Sequence, residues 1–354
     1  MVDWTSTMQQ TFEYYIVDPE TWKDSKKLNT VISSKISRDL EAETLGSASI
    51  TISESIGECY IRIYLITIQN RKREKHPLGT FLIQTPSYSF DGKVKTISTD
   101  AYTPLLELKE KNPPIGYSIY KNENILDRVY EILRNQMRAP IVKVDKDVTI
   151  EENFVANLDD TWITFIIDLL DKVDMQLSLD ELGRVLFSPK QDLKSLQPIW
   201  TFNADNSSIL YPNFDIDNDL YGIPNVVEVV YSNASKTVCA TAVNDDKNSP
   251  VSTVNRGRRI VNRITNPSIV GNPSEKELKT YAEKVLKQLS SIEYTITFSH
   301  GYCPIRIGDC VRLNYESAGL RNVKAKIISQ SISCTPGCPV SSKAVFTSNL
   351  WGGE

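Results

Sequence analysis

Histidine is the residue that most often acts as a general acid or base near neutral pH, and this chain of 354 residues contains two. His76 follows the basic run 71–75, a pattern that predicts a solvated hairpin loop. The run could bind a phosphate or an acidic partner, but charges that only keep a protein soluble have the same pattern. His300 follows a predicted strand, 295–299, and precedes Gly301. We interpret His300 as a strand-end residue rather than a general base.

Motifs for nucleophilic catalysis and nucleotide binding are absent from the sequence, which has no G-x-S-x-G, P-loop or dinucleotide fingerprint. Residues 215–219 (Asp-Ile-Asp-Asn-Asp) begin like a calcium loop. However, Leu220 replaces the required glycine and Val226 replaces the final glutamate. A pair of catalytic carboxylates cannot be recognised from spacing alone. We therefore predict no catalytic, cofactor-binding or metal-binding residues.

Four of the six cysteines lie in the last quarter of the chain: Cys303, Cys310, Cys334 and Cys338. Zinc sites usually consist of two closely spaced pairs, and the gap between Cys303 and Cys310 is wide for such a pair. We predict ordinary reduced cysteines, with zinc as the open alternative that a metal assay would decide. The cysteines are too few for a disulfide scaffold.

The composition is that of a soluble globular protein, with 40% hydrophobic and 24% charged residues. The length favours two or three domains. A net charge of −4 argues against a nucleic-acid-binding protein, which usually has a basic excess. The N-terminus does not resemble a signal peptide, and the longest apolar stretch, 162–170, is too short to cross a membrane. We expect folding in a reducing cytoplasm and no membrane insertion.

The first part of the chain has the period-2 pattern of strands with one buried face. The pattern is clearest at residues 47–53 and 59–65, after which its phase shifts to Ile66 and Ile68, predicting a β-bulge. Two more short strands are predicted at 81–83 and 93–98, separated by a turn at Asp91-Gly92. These features predict a first β-barrel domain over residues 1–112.

The middle of the chain changes to a helical period after Asn112-Pro113-Pro114, which we interpret as a boundary. One helix is predicted from a stripe that runs from Ile125 to Gln136 and is ended by Ala139-Pro140. A second is predicted over 162–173, with Asp159 or Asp160 as its N-cap. Two strands, 177–180 and 183–187, follow. Residues 113–200 are thus predicted to form an inserted α/β domain.

Residues 201–354 return to strands, predicted at 226–230, 294–298, 311–315, 325–332 and 343–347. A capping box, Ser274 with Glu277, starts one helix, and a polar, loop-bearing stretch covers 232–257. This part is predicted to be a second β-barrel with a loop and helix insertion around 232–292. The predicted fold class is α+β and mainly β, with two similar antiparallel β-barrels, an inserted α/β domain and a further helix-bearing insertion.

Three stretches together resemble a known family. The first is 77–83 with 95–102 and Leu105-Leu106, and the second is the helix 162–173 leading into 180–189. The third is 274–289, followed by 295–300, 307–311 and 327–332. In this order they are similar to the baseplate-hub and tail-hub proteins of tailed phages and related injection machines.

The resemblance implies a homotrimer in which each subunit supplies two similar barrels to a ring of pseudo-six-fold symmetry. It implies contacts with the tail tube or tube-initiator proteins, a central spike or tail-tip protein, baseplate wedge proteins and the tape measure protein. DNA would pass through the channel without specific binding, for which an acidic surface is suited. The implied location is the tail baseplate of the virion, assembled in the host cytoplasm. Because the sequence ends at residues 351–354, we expect any spike or hydrolase to be a separate protein.

Two other functions remain open from the sequence. A tail-associated cell-wall hydrolase could place its carboxylates in the α/β segment, and a turbidity-clearing assay would detect it. A host-glycan-binding module could use tyrosines near loops, such as Tyr117, Tyr120 or Tyr211, and a glycan array would detect that.

Overall fold

The computed structural model describes residues 2–90, 92, 95–205, 208–217, 220–232, 236–265, 267 and 273–350. The chain divides into two compact units, the larger consisting of Met1–Phe214 with Thr297–Ala344 and the smaller of Asp215–Ile296 with Val345–Glu354. The predicted mainly β fold class is confirmed. The three-domain division with boundaries near residues 112 and 200 stays a prediction. The sequence end at 351–354 lies outside the described residues.

Seven strands form the first group, and neighbouring strands in it pair antiparallel. They lie in the order β3-β4-β7-β6-β5-β1-β2. The strands are β1 (Gln9–Val17), β2 (Asp24–Leu28), β3 (Val31–Asp39), β4 (Gly46–Ile52), β5 (Tyr60–Gln69), β6 (Lys72–Phe90) and β7 (Lys95–Tyr102). In β4 the predicted alternation is confirmed, because Ala48, Ile50 and Ile52 are buried.

Strand β5 differs from the prediction of one buried face, because both of its faces are buried from Tyr60 to Thr67. The predicted bulge at Ile66 is also misplaced. The β5–β6 register shifts between Ile63 and Tyr64, where Leu78 is the extra residue on β6. Because both faces of β5 are buried, its sequence has no regular alternation of polar and apolar residues from which the position of the bulge could be predicted.

The basic run 71–75 was predicted as a loop, but Lys72 onward belongs to β6. The turn itself is tight, because Asn70 and Arg71 both have positive φ values, which suit a two-residue hairpin. At the other end of β6, Asp91, Lys93 and Val94 lie outside the described residues, and with them most of the predicted turn and the start of the predicted strand 93–98.

Residues 106–189, here called the inserted segment, contain three helices and two small antiparallel strand pairs. Its elements are α1 (Leu106–Lys109), β8 (Ser118–Ile119), α2 (Ile125–Gln136), β9 (Phe154–Val155), α3 (Trp162–Asp171), β10 (Met175–Leu179) and β11 (Val185–Pro189). The apolar stripes of α2 and α3 are buried together in one core. The N-cap of α3 is Thr161, in a capping box with Thr164, so the predicted aspartate cap is wrong.

The remaining strands are β12 (Trp200–Asn203), β13 (Leu210–Asp217), β14 (Val226–Ser232), β15 (Thr237–Val243), β16 (Val261–Thr265), β17 (Ser291–Gly301), β18 (Cys310–Tyr315), β19 (Leu320–Ser333) and β20 (Pro339–Asn349). Strands β13, β17, β20 and β19 are neighbours in that order, and β18 pairs with β12 and β19. Strand β19 also pairs with β3, where Ile332 faces Ile36. This pairing joins both strand groups into a single 13-stranded sheet.

The smaller unit has its own core, formed by a three-stranded sheet and one helix. Strand β14 is central, antiparallel to β15 and parallel to β16. A short helix, α4 (Thr253–Arg256), precedes β16, and α5 (Glu275–Leu289) packs its stripe of Leu278, Ala282 and Leu286 on the sheet. The capping box of α5 is confirmed.

Residues 218–219 of the calcium-like stretch and 233–235 of the polar stretch lie outside the described residues. Among the described helices, none has both the length and the hydropathy needed to span a bilayer.

Candidate functional site

Charged side chains concentrate around the turn Asp180–Arg184 between β10 and β11, here called the hairpin turn. Asp180 shapes it, since one carboxylate oxygen accepts from the Arg184 backbone N–H at 2.8 Å and the other from the Arg184 Nε at 2.6 Å. Gly183 has a φ of +75°, and a Cβ placed there would lie 2.9 Å from the Cβ of Thr80. The hairpin turn therefore requires glycine for both its backbone conformation and its close packing.

The Leu182 carbonyl at the tip of the hairpin turn accepts two hydrogen bonds from the first strand group. Trp22 Nε1 donates at 2.7 Å and Arg62 Nη2 at 3.1 Å. Arg62 is only 4% exposed, and its Nε also donates to Thr80 Oγ1 at 2.9 Å. Its charge is balanced by Asp24, 2.9 Å from Nη1. A buried guanidinium needs such a complete set of partners.

Glu181 in the same turn lies between two arginines. Arg306 forms an ion pair with it, and the Arg38 Nη2 lies 3.9 Å from its carboxylate. Arg38 also donates to the Gln330 side chain at 3.1 Å and to the Leu78 carbonyl at 2.7 Å. Glu181 thus links β3, which carries Arg38, to the segment before β18, which carries Arg306.

A cavity of about 300 Å³ adjoins these groups. Its charged lining consists of Arg38, Asp180, Glu181, Arg306, Asp309 and Lys326. Burial raises the pKa of Asp309, although its carboxylate accepts a hydrogen bond from the Arg306 backbone N–H at 2.7 Å. The carboxylates of Asp180 and Glu181 are paired with Arg184 and Arg306, so these contacts hold the hairpin turn in place.

His300 is fully buried in β17 and belongs to a defined hydrogen-bond chain. Its Nδ1 donates to the Gly301 carbonyl at 2.7 Å, which fixes the tautomer and leaves Nε2 to accept from the Ser342 hydroxyl at 2.8 Å. Gln330 donates to the same hydroxyl at 3.4 Å. Burial lowers the pKa of His300 to about 4. A serine–histidine pair can form a nucleophile, but both side chains are 0% exposed and a substrate has no access to them.

His76, predicted in a loop, is half-buried in β6. Its Nε2 lies 3.0 Å from Thr67 Oγ1, and its ring contacts Trp4 with the centroids 4.9 Å apart. Burial lowers its pKa. These are packing contacts.

All six cysteines are free, and the four in the last quarter of the chain are buried. Burial raises the pKa of Cys334 to about 11 and raises the pKa values of Cys303, Cys310 and Cys338. Across the described ranges, no three His, Cys, Asp or Glu side chains come together as a metal site. The structure therefore gives the zinc alternative no support.

The three tyrosines considered for glycan binding have different environments. Tyr117 packs edge-on against Trp162 and Phe165, with ring centroids 4.9 and 5.5 Å away. Tyr120 and Tyr211 are exposed. Tyr117 is thus a core residue of the inserted segment.

The residues that build the hairpin-turn contacts were not identified from the sequence. The available signal was Arg62 between two isoleucines in a strongly apolar strand, since a charge in such a strand requires a buried partner. Nothing in the sequence indicated that this partner would include a carbonyl more than a hundred residues away.

Comparison with solved structures gives full-length matches. The chain is similar to a tail protein from Neisseria meningitidis MC58, with 12% identity and a TM-score of 0.60 over 97% of this chain and 98% of that one. It is also similar to the 43 kDa tail protein of prophage MuSo2 from Shewanella oneidensis, with 12% identity and a TM-score of 0.59 over 95% and 98%. A chain of the Francisella PdpA-VgrG complex matches at 10% identity and a TM-score of 0.56, over 99% of this chain and 59% of that one.

No family model matches the sequence, and no curated protein matches it either. The structural matches extend over almost the whole chain, including the inserted segment and the smaller unit. The chain has the fold of these two tail proteins.

Proposed function

We propose that this protein is a non-enzymatic structural hub of a phage-type tail baseplate. Three copies would form a ring of pseudo-six-fold symmetry that joins the tail tube or its initiator proteins to a central spike or tail-tip protein. The ring would also contact baseplate wedge proteins and the tape measure protein. DNA would pass through its channel without specific binding, and the protein would be assembled in the host cytoplasm.

The near-complete overlap with two tail proteins carries this proposal. Both matches cover at least 95% of this chain and 98% of the other chain, so the shared fold is a complete architecture rather than one common module. Two strand groups joined in one sheet also suit a ring, because each copy then contributes two wall segments at a fixed spacing.

The hairpin-turn contacts support a mechanical role. Arg62 and Trp22 fix the inserted segment to the first strand group, and Glu181 with Arg306 fixes it to the segment before β18. Such contacts between distant parts of the chain keep a subunit rigid while its neighbours transmit force. The acidic net charge suits a channel for DNA.

The hydrolase alternative gains no support from the geometry. The Ser342–His300 pair is inaccessible, and the carboxylates at the hairpin turn are occupied by arginines and backbone N–H groups. A turbidity-clearing assay on bacterial walls should show no lysis by the purified chain, and lysis would contradict the proposal.

The assembly state tests the structural role directly. We expect sedimentation and negative-stain microscopy of the full chain to show particles of three subunits with a central opening. Cryo-electron microscopy of a tail that contains the chain should place three copies around the tail axis. A chain that is monomeric at every concentration, or that lies outside the tail axis, would refute the proposal.

A further inference from the structure

We propose that the subunits contact each other through two oppositely charged surfaces of this chain. This inference rests on the ring proposed above. One surface belongs to the inserted segment and the other to the smaller unit. The occupant of each surface is the other surface on a second copy. Contacts between unlike patches are heterologous, and they close into a ring when the rotation between copies allows it.

The first surface, here called the acidic face, lies along residues 141–160. This segment has six acidic and two basic residues. Its apolar side chains Val144, Val148, Ile150, Phe154 and Ala156 pack against the core of the inserted segment. The side chains of Asp147, Glu151, Glu152 and Asp159 in the same segment are exposed. None of these four forms an ion pair with another described residue.

Backbone hydrogen bonds hold the acidic face in position. The Ile125 N–H donates to the Val148 carbonyl at 2.8 Å, and the Ala156 N–H donates to the Tyr117 carbonyl at 2.9 Å. The second bond places the turn containing Ile115 beside the end of the segment. Ile115 is 92% exposed and Leu158 is 82% exposed. Exposed apolar side chains that are bordered by charged residues are typical of a protein-binding surface.

The second surface, here called the basic loop, covers residues 244–260, with four basic and two acidic residues. Buried amides and hydroxyls hold it. Asn225 Nδ2 donates to the Val251 and Arg258 carbonyls at 3.1 and 3.0 Å, and Asn244 Nδ2 donates to Ser249 at 2.9 Å. This network fixes the shape of the loop before any partner binds.

The exposed side of the basic loop has the residue types of a binding hot spot. Lys247, Arg258 and Arg259 are exposed and have no ion pair within the described part of the chain. Arg256 donates to the Ile223 carbonyl at 2.8 Å and so holds the neighbouring turn, in which Tyr221 is 93% exposed. Arginine and tyrosine are enriched among the residues that dominate binding energy.

Charge complementarity favours a second copy over DNA as the partner of the basic loop. The acidic face supplies both carboxylates for the arginines and the exposed apolar side chains Ile115 and Leu158, whereas a DNA backbone supplies charge alone. Each surface therefore supplies what the other lacks.

Charge reversal tests the pairing. We expect Arg258→Glu with Arg259→Glu, and separately Glu151→Lys with Glu152→Lys, to raise the dissociation constant of the trimer at least about tenfold. The four changes in one chain should restore the trimer. Lys279→Glu with Lys284→Glu is the matched control, because both lysines are exposed on α5 in the same unit as the basic loop. Circular dichroism should show that all variants fold.

Mixing the two double variants adds a sharper test. In the proposed ring the acidic face of one copy contacts the basic loop of the next. A contact between the two different double variants is therefore complementary, and a contact between two copies of the same variant is repulsive. Since a ring of three copies must place two copies of one variant side by side, it contains at least one repulsive contact. We expect the mixture to form far less trimer than the fourfold variant.

The outcomes separate the two proposals. A wild-type chain that never forms trimers overturns the proposed hub and this pairing with it. A wild-type trimer that both reversals leave intact overturns the pairing alone, as does a fourfold variant that stays dissociated. Trimers that survive reversal but fail to enter tail particles would assign these surfaces to a different protein and would also overturn the pairing.

Discussion

Lowering the pH from about 7 to about 5 should weaken the larger unit by about 2 kcal/mol through His300 alone. The folded protein holds this histidine neutral, because burial lowers its pKa to about 4, while the pKa in an unfolded chain is about 6.5. The unfolded state therefore binds the proton first as the pH falls. The contribution of His300 to stability is complete above the unfolded pKa, decreases through the window between the two values and is lost below the folded value.

Urea unfolding followed by tryptophan fluorescence measures this effect, since Trp4, Trp22, Trp162 and Trp200 all lie in the larger unit. The comparison is between the wild type and His300→Gln, which cannot titrate. At about pH 7 the variant should be the less stable, because it disturbs a fully buried side chain. At about pH 5 the difference should have shrunk by about 2 kcal/mol.

The subtraction removes the effects of other groups, because carboxylates titrate equally in both proteins. His76→Gln is the comparison: burial also lowers the pKa of His76, but this histidine is only half-buried, so its stability difference from the wild type should change less over the same pH range. If the stabilities of the wild type and His300→Gln run parallel between about pH 7 and about pH 5, the imidazole does not have the buried, neutral role assigned to it.

Two further predictions concern backbone conformation and helix caps. Gly183→Ala should destabilise the larger unit by more than about 1 kcal/mol because of the positive φ of Gly183 and its contact with Thr80. Gly222 has a similar φ of +72° but open space around it, so Gly222→Ala should lower the free energy of unfolding by less. Urea unfolding measures both. Ser274→Ala and Thr161→Ala should each lower the stability of the helix that they cap by about 1 kcal/mol. Hydrogen exchange should then be faster for the amides in the first turns of α5 and α3. Unchanged exchange there would refute the capping assignments.

Local patterns predicted most of the elements. The helix Ile125–Gln136 was found from its stripe, although it ends before the predicted stop at Ala139-Pro140. The capping box at Ser274 was found with both partners. The β10–β11 hairpin was also found, since strands with a glycine turn between them are encoded by neighbours in sequence. These features depend on residues only a few positions apart.

Register and burial could not be predicted in the same way. Strand β5 is covered on both faces, so its composition has no polar side from which to read the bulge. The cap of α3 was assigned to an aspartate because several capping residues lie side by side, and only the backbone conformation selects Thr161. The pairing of β3 with β19 joins residues almost three hundred positions apart and has no local signal.

The contacts at the hairpin turn give its buried polar groups a structural role. Replacing Arg62 by an apolar residue would remove one donor from each of Asp24, Thr80 and the Leu182 carbonyl, so a single substitution weakens three contacts at once. Apolar packing is non-directional, whereas a carbonyl that accepts from both Trp22 and Arg62 is held by two directional bonds that favour one position of the inserted segment. A ring of identical subunits closes only if each copy has the same shape, because an angular error in one copy is repeated at every contact. Directional polar contacts between distant parts of the chain are therefore what the proposed ring requires of each subunit.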